Sequence, residues 1–299
     1  MAMAGFDELF QLASQVSVPV GVAVAGGDDP TVLEALADAC VRGWVQPILC
    51  GSENRIRELA DRLSVDLGLF RIIDSEEPAE AAVEAIHRGD AKLLMKGQIS
   101  TPSLMKAVMH SERGLRSGKT ICQIVLMEIP RDDRRFLMAD TGITIVPTTQ
   151  QLSEIIDASV ELASSIGVTS PCVGLMAATE KVTDAMPETH LAAELQKHRG
   201  DEDTFAISGP LSFDVAYSQD AGEKKRLSGE DIGVVEVMVF PNLLSANLTV
   251  KALMYAADCQ FGGVLKGVQC PVAFMSRADD VPTRLRSLAL ALTQVARNP

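Results

Sequence analysis

The stretch Val18-Pro19-Val20-Gly21-Val22-Ala23-Val24-Ala25-Gly26-Gly27-Asp28-Asp29-Pro30 decides the fold. Its apolar part predicts a buried strand over 18–25, and the glycine pair a turn. A helix to about Arg42 follows, because Asp29 can cap a helix and Pro30 suits the first helical position. The same strand-then-helix unit recurs at 45–50 with 52–63, at 70–74 with 79–88, and at 92–95 with 102–109, the last strand ending at Lys96-Gly97. Strands alternating with amphipathic helices predict an α/β class chain with a mainly parallel sheet covered by helices.

A basic, glycine-containing connection, 114–119, interrupts this rhythm and precedes two β-rich runs, 121–129 and 135–138, so a domain boundary is expected near residue 118. Beyond it the pattern predicts a helix over 149–166, a strand over 172–177, a helix over 187–198 and strands over 205–208 and 233–240. A long helix over 243–258, short strands at 263–268 and 272–275 and a last helix over 281–296 complete the chain. No internal repeat, low-complexity tract or Pro/Gly/Ser-rich linker separates these elements. A length of 299 residues fits two domains, or one large one with a split core.

Composition narrows the function classes. With 47% hydrophobic and 22% charged residues the chain is neither disordered nor collagen-like nor a disulfide scaffold. No apolar run approaches the ~20 residues of a bilayer helix, and Asp7 and Glu8 stand where a signal peptide carries Lys or Arg, so a cytoplasmic protein without a membrane partner is expected. Its 27 basic against 40 acidic residues, a net charge of −13, argue against a nucleic-acid partner. The six cysteines are scattered without a C-x-x-C pair and read as reduced, buried thiols; the four histidines show no H-E-x-x-H spacing, and no metal site is expected.

Two segments invite a chemical reading. Lys96-Gly97-Gln98-Ile99-Ser100-Thr101-Pro102 closes a strand, supplies a cation and ends in hydroxyls beside a helix start, a combination that suits an anion; a capped turn with a solvated lysine fits the same residues equally well. In the stretch 272–283 an apolar strand ends in Ser276-Arg277. Open α/β sheets place ligands at the carboxyl ends of strands, and arginine grips phosphate or carboxylate with a planar fork. Helix capping by Ser276 and a surface ion pair for Arg277 are the plainer roles. The Gly26-Gly27 turn lacks phosphate-loop spacing, and Asp28 and Asp29 would repel an anion, so it reads as a simple strand-to-helix turn.

From about residue 18 to the C-terminus the chain resembles the phosphate acetyltransferase and phosphate butyryltransferase family. The resemblance is carried by Met95-Lys96-Gly97-Gln98-Ile99-Ser100-Thr101, Ala139-Asp140-Thr141-Gly142 with Val146-Pro147, and Gly209-Pro210-Leu211-Ser212-Phe213-Asp214-Val215-Ala216. It continues in Phe240-Pro241-Asn242, Asn247 with Lys251, Gly263-Val264-Leu265-Lys266-Gly267 and Ser276-Arg277. Thr179-Glu180-Lys181, Met186-Pro187-Glu188-Thr189 and Ser276-Arg277-Ala278-Asp279 resemble the butyryltransferase branch more than the acetyl branch.

This resemblance implies two α/β domains with an interdomain cleft, the isocitrate/isopropylmalate dehydrogenase-like fold, in a homodimer. Domain I would be 1–118 joined by a C-terminal helix over 279–299, and domain II 119–278. It implies transfer of a short-chain acyl group, acetyl to butyryl, between coenzyme A and inorganic phosphate by direct thiolate attack on the acyl phosphate. Acyl-CoA, phosphate and acyl phosphate would be the ligands, with no permanently bound cofactor and no metal. Ser276 and Arg277 would be catalytic, while Lys96, Gly97, Ser100, Thr101, Lys106, Asp140, Asn247 and Lys251 would bind substrate. Lys106 stands where the acetyl branch has an arginine. The chain departs from the family pattern at Thr283, where the acetyl branch has an aspartate proposed as base, and at Asn242 and Ala246, where Asp and Gly are usual. Those departures keep open a catalytically weak, acyl-CoA-binding regulatory relative. A metal-dependent 2-hydroxyacid dehydrogenase of the same fold would need an aspartate cluster from two strands and a nucleotide loop, and the sequence offers neither.

Overall fold

A short helix, α1 (Phe6–Ala13), precedes the first strand, β1 (Val20–Ala25), in the computed structural model, which describes residues 2–199, 205–227, 229 and 231–295. Val22 to Ala25 are fully buried, as a run without polar alternation requires when both faces of a strand are covered. Helix α2 (Pro30–Val41) starts as its sequence dictates: the Asp29 carboxylate accepts from Val32 N, and Pro30 stands in the first turn. Then come β2 (Val45–Gly51), α3 (Glu53–Leu63) capped by Ser52, β3 (Arg71–Asp74), α4 (Pro78–His87), β4 (Leu93–Lys96) and α5 (Thr101–Val108). The middle of the chain forms β5 (Cys122–Ile129), β6 (Arg134–Ala139), α6 (Thr149–Ser165), β7 (Cys172–Met176), α7 (Pro187–Arg199) and β8 (Ala206–Leu211). After it come α8 (Phe213–Tyr217), α9 (Gln219–Lys224), β9 (Val237–Val239), α10 (Leu243–Ala256), β10 (Gln260–Lys266), β11 (Val272–Ala273) and α11 (Val281–Val295).

The chain folds into two units, Phe6–Lys119 with Phe261–Pro299, and Met1–Gly5 with Thr120–Gln260. In the first, the strand order is β3-β2-β1-β4-β11-β10, parallel except that β10 runs antiparallel to β11. In the second, the order is β5-β6-β9-β7-β8, with β5 antiparallel to β6 and the rest parallel. Among the described residues no helix is long and apolar enough to cross a membrane.

Several elements differ from the sequence expectation. Residues 261–278, placed by the sequence in the second domain, lie with the first unit, because β11 pairs with β4 through Val272 with Leu94 and Ala273 with Met95, and Gly263 N donates to Ser287 Oγ of α11 at 3.0 Å. Residues before α1 pack instead on the second unit, where Ala4 N donates to Ile166 O at 2.8 Å. The strand expected over 233–240 shrinks to three residues, and the one over 205–208 extends through Gly209-Pro210. The short helices α1, α8 and α9 carry too few turns to show a period. The last helix was expected to reach Ala296, which lies outside the described residues.

Gly97 shows how tightly the carboxyl ends of β1 and β4 fit. Gly97 N donates to Ala25 O and Gln98 N to Gly26 O, both at 2.9 Å, and a Cβ on Gly97 would stand 2.0 Å from Gly26 O. That obstacle is backbone and cannot swing aside. Gly97→Ala is therefore expected to lower stability by about 1–3 kcal/mol or more in urea unfolding, as overpacking does; wild-type stability would show that the two turns have room to part.

Candidate active site

Three neighbouring parallel strands of the first unit, β1, β4 and β11, end side by side, since Ala25 pairs with Lys96 and Ala273 with Met95. The turns that follow them deliver the polar groups. Lys96, the last residue of β4, is 1% exposed; its Nζ donates one long hydrogen bond, 3.5 Å, to Gly97 O and lies 6.0 Å from the Phe274 ring centre. Burial pushes the ammonium down to about 8, the nearby Arg284 and Arg277 add to the push, and Asp279 opposes it.

Beyond β11, Phe274 and Met275 are buried and the chain emerges at Ser276 and Arg277, both exposed. Asp279 folds the loop back: its Oδ2 accepts from Ser276 N at 2.8 Å, and burial raises its pKa. Ser276 Oγ accepts from Ala278 N at 3.3 Å, and its own hydrogen has no acceptor among the described residues. Arg277 has neither ion-pair nor hydrogen-bond partner there, so its fork is available to a ligand. Thr283 is buried and its N–H is taken by Asp280 Oδ1 at 2.9 Å, so the position where an aspartate base was expected faces the core.

The other expected groups of this unit divide. Ser100 caps α5, accepting from Ser103 N at 3.1 Å, and Thr101 opens that helix beside it. Gly97 serves the close backbone approach described above. Lys106 is exposed in the last turn of α5, roughly 7.5 Å along the axis from Thr101, and does not share the turn that holds Lys96.

Asp140, Asn247 and Lys251 belong to the second unit. The Asp140 carboxylate is buried and accepts four backbone N–H groups: Oδ1 from Gln123 (3.0 Å), Gly142 (2.9 Å) and Ile143 (3.1 Å), and Oδ2 from Thr144 (2.7 Å). Burial raises its pKa while those amides pull it down, burial being the larger influence. A carboxylate so occupied builds the 140–144 loop; the ligand contact expected of it is not the role this geometry gives. Asn247 Nδ2 donates to Thr141 O at 2.9 Å and so ties α10 to the same loop, while Lys251, one turn on, is exposed. Asn242 caps α10 through Ser245 N at 2.9 Å, a task asparagine performs as well as aspartate, and Ala246 is buried.

Sequence reasoning passed over a second polar cluster. Lys225 Nζ donates to Ser212 Oγ (2.9 Å), Glu180 Oε1 (3.0 Å) and Asp214 Oδ1 (3.1 Å), and Ser212 Oγ also lies within hydrogen-bond reach of Glu180. The lysine is held up and both acids down, so the cluster is a charged clasp and not a base. Arg284 was also missed: it is fully buried in the first turn of α11, where apolar spacing gave no sign of a charge turned inward.

Comparison with known proteins identifies the family. The family model described as phosphate acetyl/butaryl transferase matches residues 76–292. The phosphate butyryltransferase of Clostridium acetobutylicum is 34% identical over 275 residues, covering 90% of this chain and 91% of that protein. The phosphate acetyltransferase of Thermotoga maritima is also 34% identical, over 90% and 93%. Among solved structures, a branched-chain phosphotransacylase from Enterococcus faecalis superposes with a TM-score of 0.82 at 29% identity, over 92% and 99% of the two chains. The fold alone is shared with a 4-hydroxythreonine-4-phosphate dehydrogenase from Klebsiella pneumoniae, with TM-score 0.57 and 12% identity over 93% of this chain and 100% of the other, which places the chain in the dehydrogenase-like α/β class.

The Asp140 loop yields a direct test. Asp140→Asn replaces an acceptor by an NH₂ that must face a backbone N–H, leaving a buried donor unsatisfied. Thermal or urea unfolding should show a loss of about 1–3 kcal/mol; an unchanged midpoint would return Asp140 to ligand binding.

Proposed function

The chain belongs to the phosphate acetyl/butaryl transferase family, and from that premise we propose that Ser276, Arg277 and Lys96 carry its transfer of a short-chain acyl group between coenzyme A and inorganic phosphate. The observation that supports these residues is the meeting of a buried, barely bonded ammonium with an unpartnered guanidinium and a free hydroxyl at the ends of adjacent strands. Hydrogen-bond acceptors for these donors are what such a corner lacks, and a phosphate group supplies them.

In the direction of thioester formation, the coenzyme A sulfur attacks the carbonyl carbon of the acyl phosphate. The C–S bond forms, the carbonyl electrons move onto oxygen, and collapse of the tetrahedral species breaks the carbon–oxygen bond to phosphate, which leaves with that electron pair. Arg277 holds the phosphoryl oxygens in a two-pronged grip, and Lys96 offsets their charge from below. The free Ser276 O–H donates to the oxyanion, a contact stronger in the transition state than in the ground state. A thiol of pKa near ~8.5 is only partly ionised at neutral pH, so the local positive potential also favours the attacking thiolate. Ser100, Thr101 and Gly97 frame the anion from the β4 turn. Lys106, Asn247 and Lys251 are assigned to substrate binding with lesser roles, and Asp140 acts through the loop it builds. Coenzyme A and phosphate are consumed as substrates, and no permanent cofactor or metal is required by these groups. A cytoplasmic location and the absence of a nucleic-acid partner fit the net charge of −13.

The assembly proposed is a homodimer. Helix α10 exposes Leu244, Leu248 and Tyr255, 71%, 62% and 82% exposed, on one face, and Leu243 N donates to Ile145 O, which sets the exposed Ile145 and Val146 beside its start. Exposed apolar side chains grouped in this way around Lys251 are costly in water, which favours cover by a second copy. Light scattering should give the mass of two chains, and Leu248→Glu should shift it towards one; a wild-type monomer at micromolar concentration would refute the dimer.

Activity is tested by phosphate-dependent release of coenzyme A from acetyl-, propionyl- and butyryl-CoA. Release should persist in EDTA, and butyryl-CoA should be used at least as well as acetyl-CoA. Arg277→Lys should weaken phosphate most, and Ser276→Ala should lower kcat and kcat/KM together, by about 10²-fold, with KM little changed. Acyl-CoA binding without turnover would favour the regulatory relative, and near-wild-type turnover in Ser276→Ala would return Ser276 to a loop-capping role.

A further inference from the structure

Arg284 has an unfinished hydrogen-bond shell. It is 0% exposed, its Nε donates to Thr31 Oγ1 at 2.8 Å, and neither Nη1 nor Nη2 has a hydrogen-bond partner among the described residues. The nearest carboxylate oxygen, Asp29 Oδ1, is 3.9 Å from Nη2 and already accepts from Thr31 Oγ1 at 2.6 Å and Val32 N at 3.2 Å. A buried guanidinium left so bare is a severe penalty unless something completes it. Lys96 repeats the pattern next door: an ammonium with three donors makes one bond at 3.5 Å.

These groups share one place. Asp29 and Thr31 follow β1, Lys96 ends β4, the loop with Arg277 and Asp279 follows β11, and β1, β4 and β11 are adjacent. Lys96 is in the field of Arg284 and Arg277, and Asp279 in that of Arg284 and Lys96. Three cations, Arg284, Lys96 and Arg277, therefore meet three carboxylates, Asp29, Asp279 and Asp280, each engaged with backbone N–H groups. The formal charges balance, but both Nη groups of Arg284 and most of the Lys96 ammonium are left without hydrogen-bond acceptors. A tetrahedral oxyanion supplies the acceptors that these donors lack.

We propose that Arg284 and Lys96 form the floor of a buried oxyanion subsite, which holds orthophosphate or the phosphoryl group of the acyl phosphate while Arg277 closes it from the exposed side. The proposal rests on the reading of the chain as a phosphate acyltransferase and adds to it a residue, Arg284, with a defined task. Arg284 fixes the depth and orientation of the anion through its planar fork; Lys96 neutralises it; Arg277, free and exposed, captures and releases it. The Thr31 hydroxyl, itself oriented by Asp29, holds the guanidinium plane by its Nε edge, and neither Nη group is taken by a hydrogen bond.

The test uses the full chain. Orthophosphate is titrated by calorimetry without coenzyme A, melts are recorded in phosphate-free and phosphate buffers of equal ionic strength, and KM is measured for each substrate. In Arg284→Met the dissociation constant and KM for phosphate should rise roughly 10- to 100-fold while KM for coenzyme A stays within about twofold, since charged hydrogen bonds to the anion alone are lost. The melt in phosphate-free buffer should be no lower than that of the wild type, because removing a buried guanidinium whose two Nη groups lack acceptors relieves their penalty, and the rise in melting temperature on adding phosphate should largely vanish. Lys96→Met should follow the same course. Should Arg284→Met not fold, Arg284→Lys, which keeps the charge and loses the fork, must still raise KM for phosphate. A lowered melt with wild-type affinity for phosphate, in either Arg284 variant, overturns the proposal and leaves Arg284 a structural partner of Thr31 and Asp29. A wild-type melt indifferent to phosphate overturns it as well. Phosphate binding through Arg284 in a wild type that releases no coenzyme A would instead remove the acyltransferase reading and keep the subsite.

Discussion

Two residue pairs, Leu94 with Val272 and Met95 with Ala273, hold the beginning and the end of the chain together. Strand β11 is only two residues long, yet everything polar in the first unit depends on where it lies. Its parallel register beside β4 aims the 274–280 loop at Lys96, and the turn that follows starts α11 with Arg284 already inside. Closing so long a loop is entropically expensive, although the expense grows slowly with length. The apolar faces of β11 and α11 offset it: Val272, Ala273, Leu285, Leu288 and Leu292 are all buried.

The register also explains why charge can be kept in a dry place. Glycines at 26 and 97 let the β1 and β4 turns approach without side chains between them, so the ammonium of Lys96 is screened by backbone and by the Phe274 ring instead of water. In low dielectric a neighbouring anion is attracted far more strongly than at the surface. In the subsite proposed for Arg284 and Lys96, donors left without acceptors carry a penalty that a bound anion relieves. Affinity and instability of the empty site thus come from one arrangement.

Much of the first unit was legible in the sequence because its strands are unbroken apolar runs and its helices carry explicit caps at Asp29, Ser52 and Ser100. The return at residue 261 was not legible, since short strands say nothing about which neighbour they will pair with. Asp140 enters the substrate-binding set only through the family resemblance; coordinates are needed to reveal the four backbone amides around it. Arg284 was hidden for the opposite reason. Arg284 and Arg286 flank Leu285 at the start of an apolar helix, and periodicity cannot tell which of the two points inward. The clasp of Ser212, Glu180, Asp214 and Lys225 joins residues up to 45 positions apart and leaves no local pattern.

The split of the first unit has a bearing on synthesis. As the chain leaves the ribosome, β1 to β4 appear before the second unit, but the strand that flanks β4 and the helix that covers it come after it. The intervening unit, nearly continuous in sequence, can fold as soon as residue 260 has emerged, whereas the N-terminal segment waits with the β4 flank open until β11 follows. From Lys96 to Val272, at roughly 5–20 residues per second, that interval lasts about 9–35 s. Leu93, Leu94 and Met95, all buried in the finished molecule, are without their last neighbour for that time. The nascent protein therefore presents chaperones with an apolar strand open on one flank at a defined stage of translation, and a ribosome stalled short of β11 leaves that flank open for as long as the stall persists.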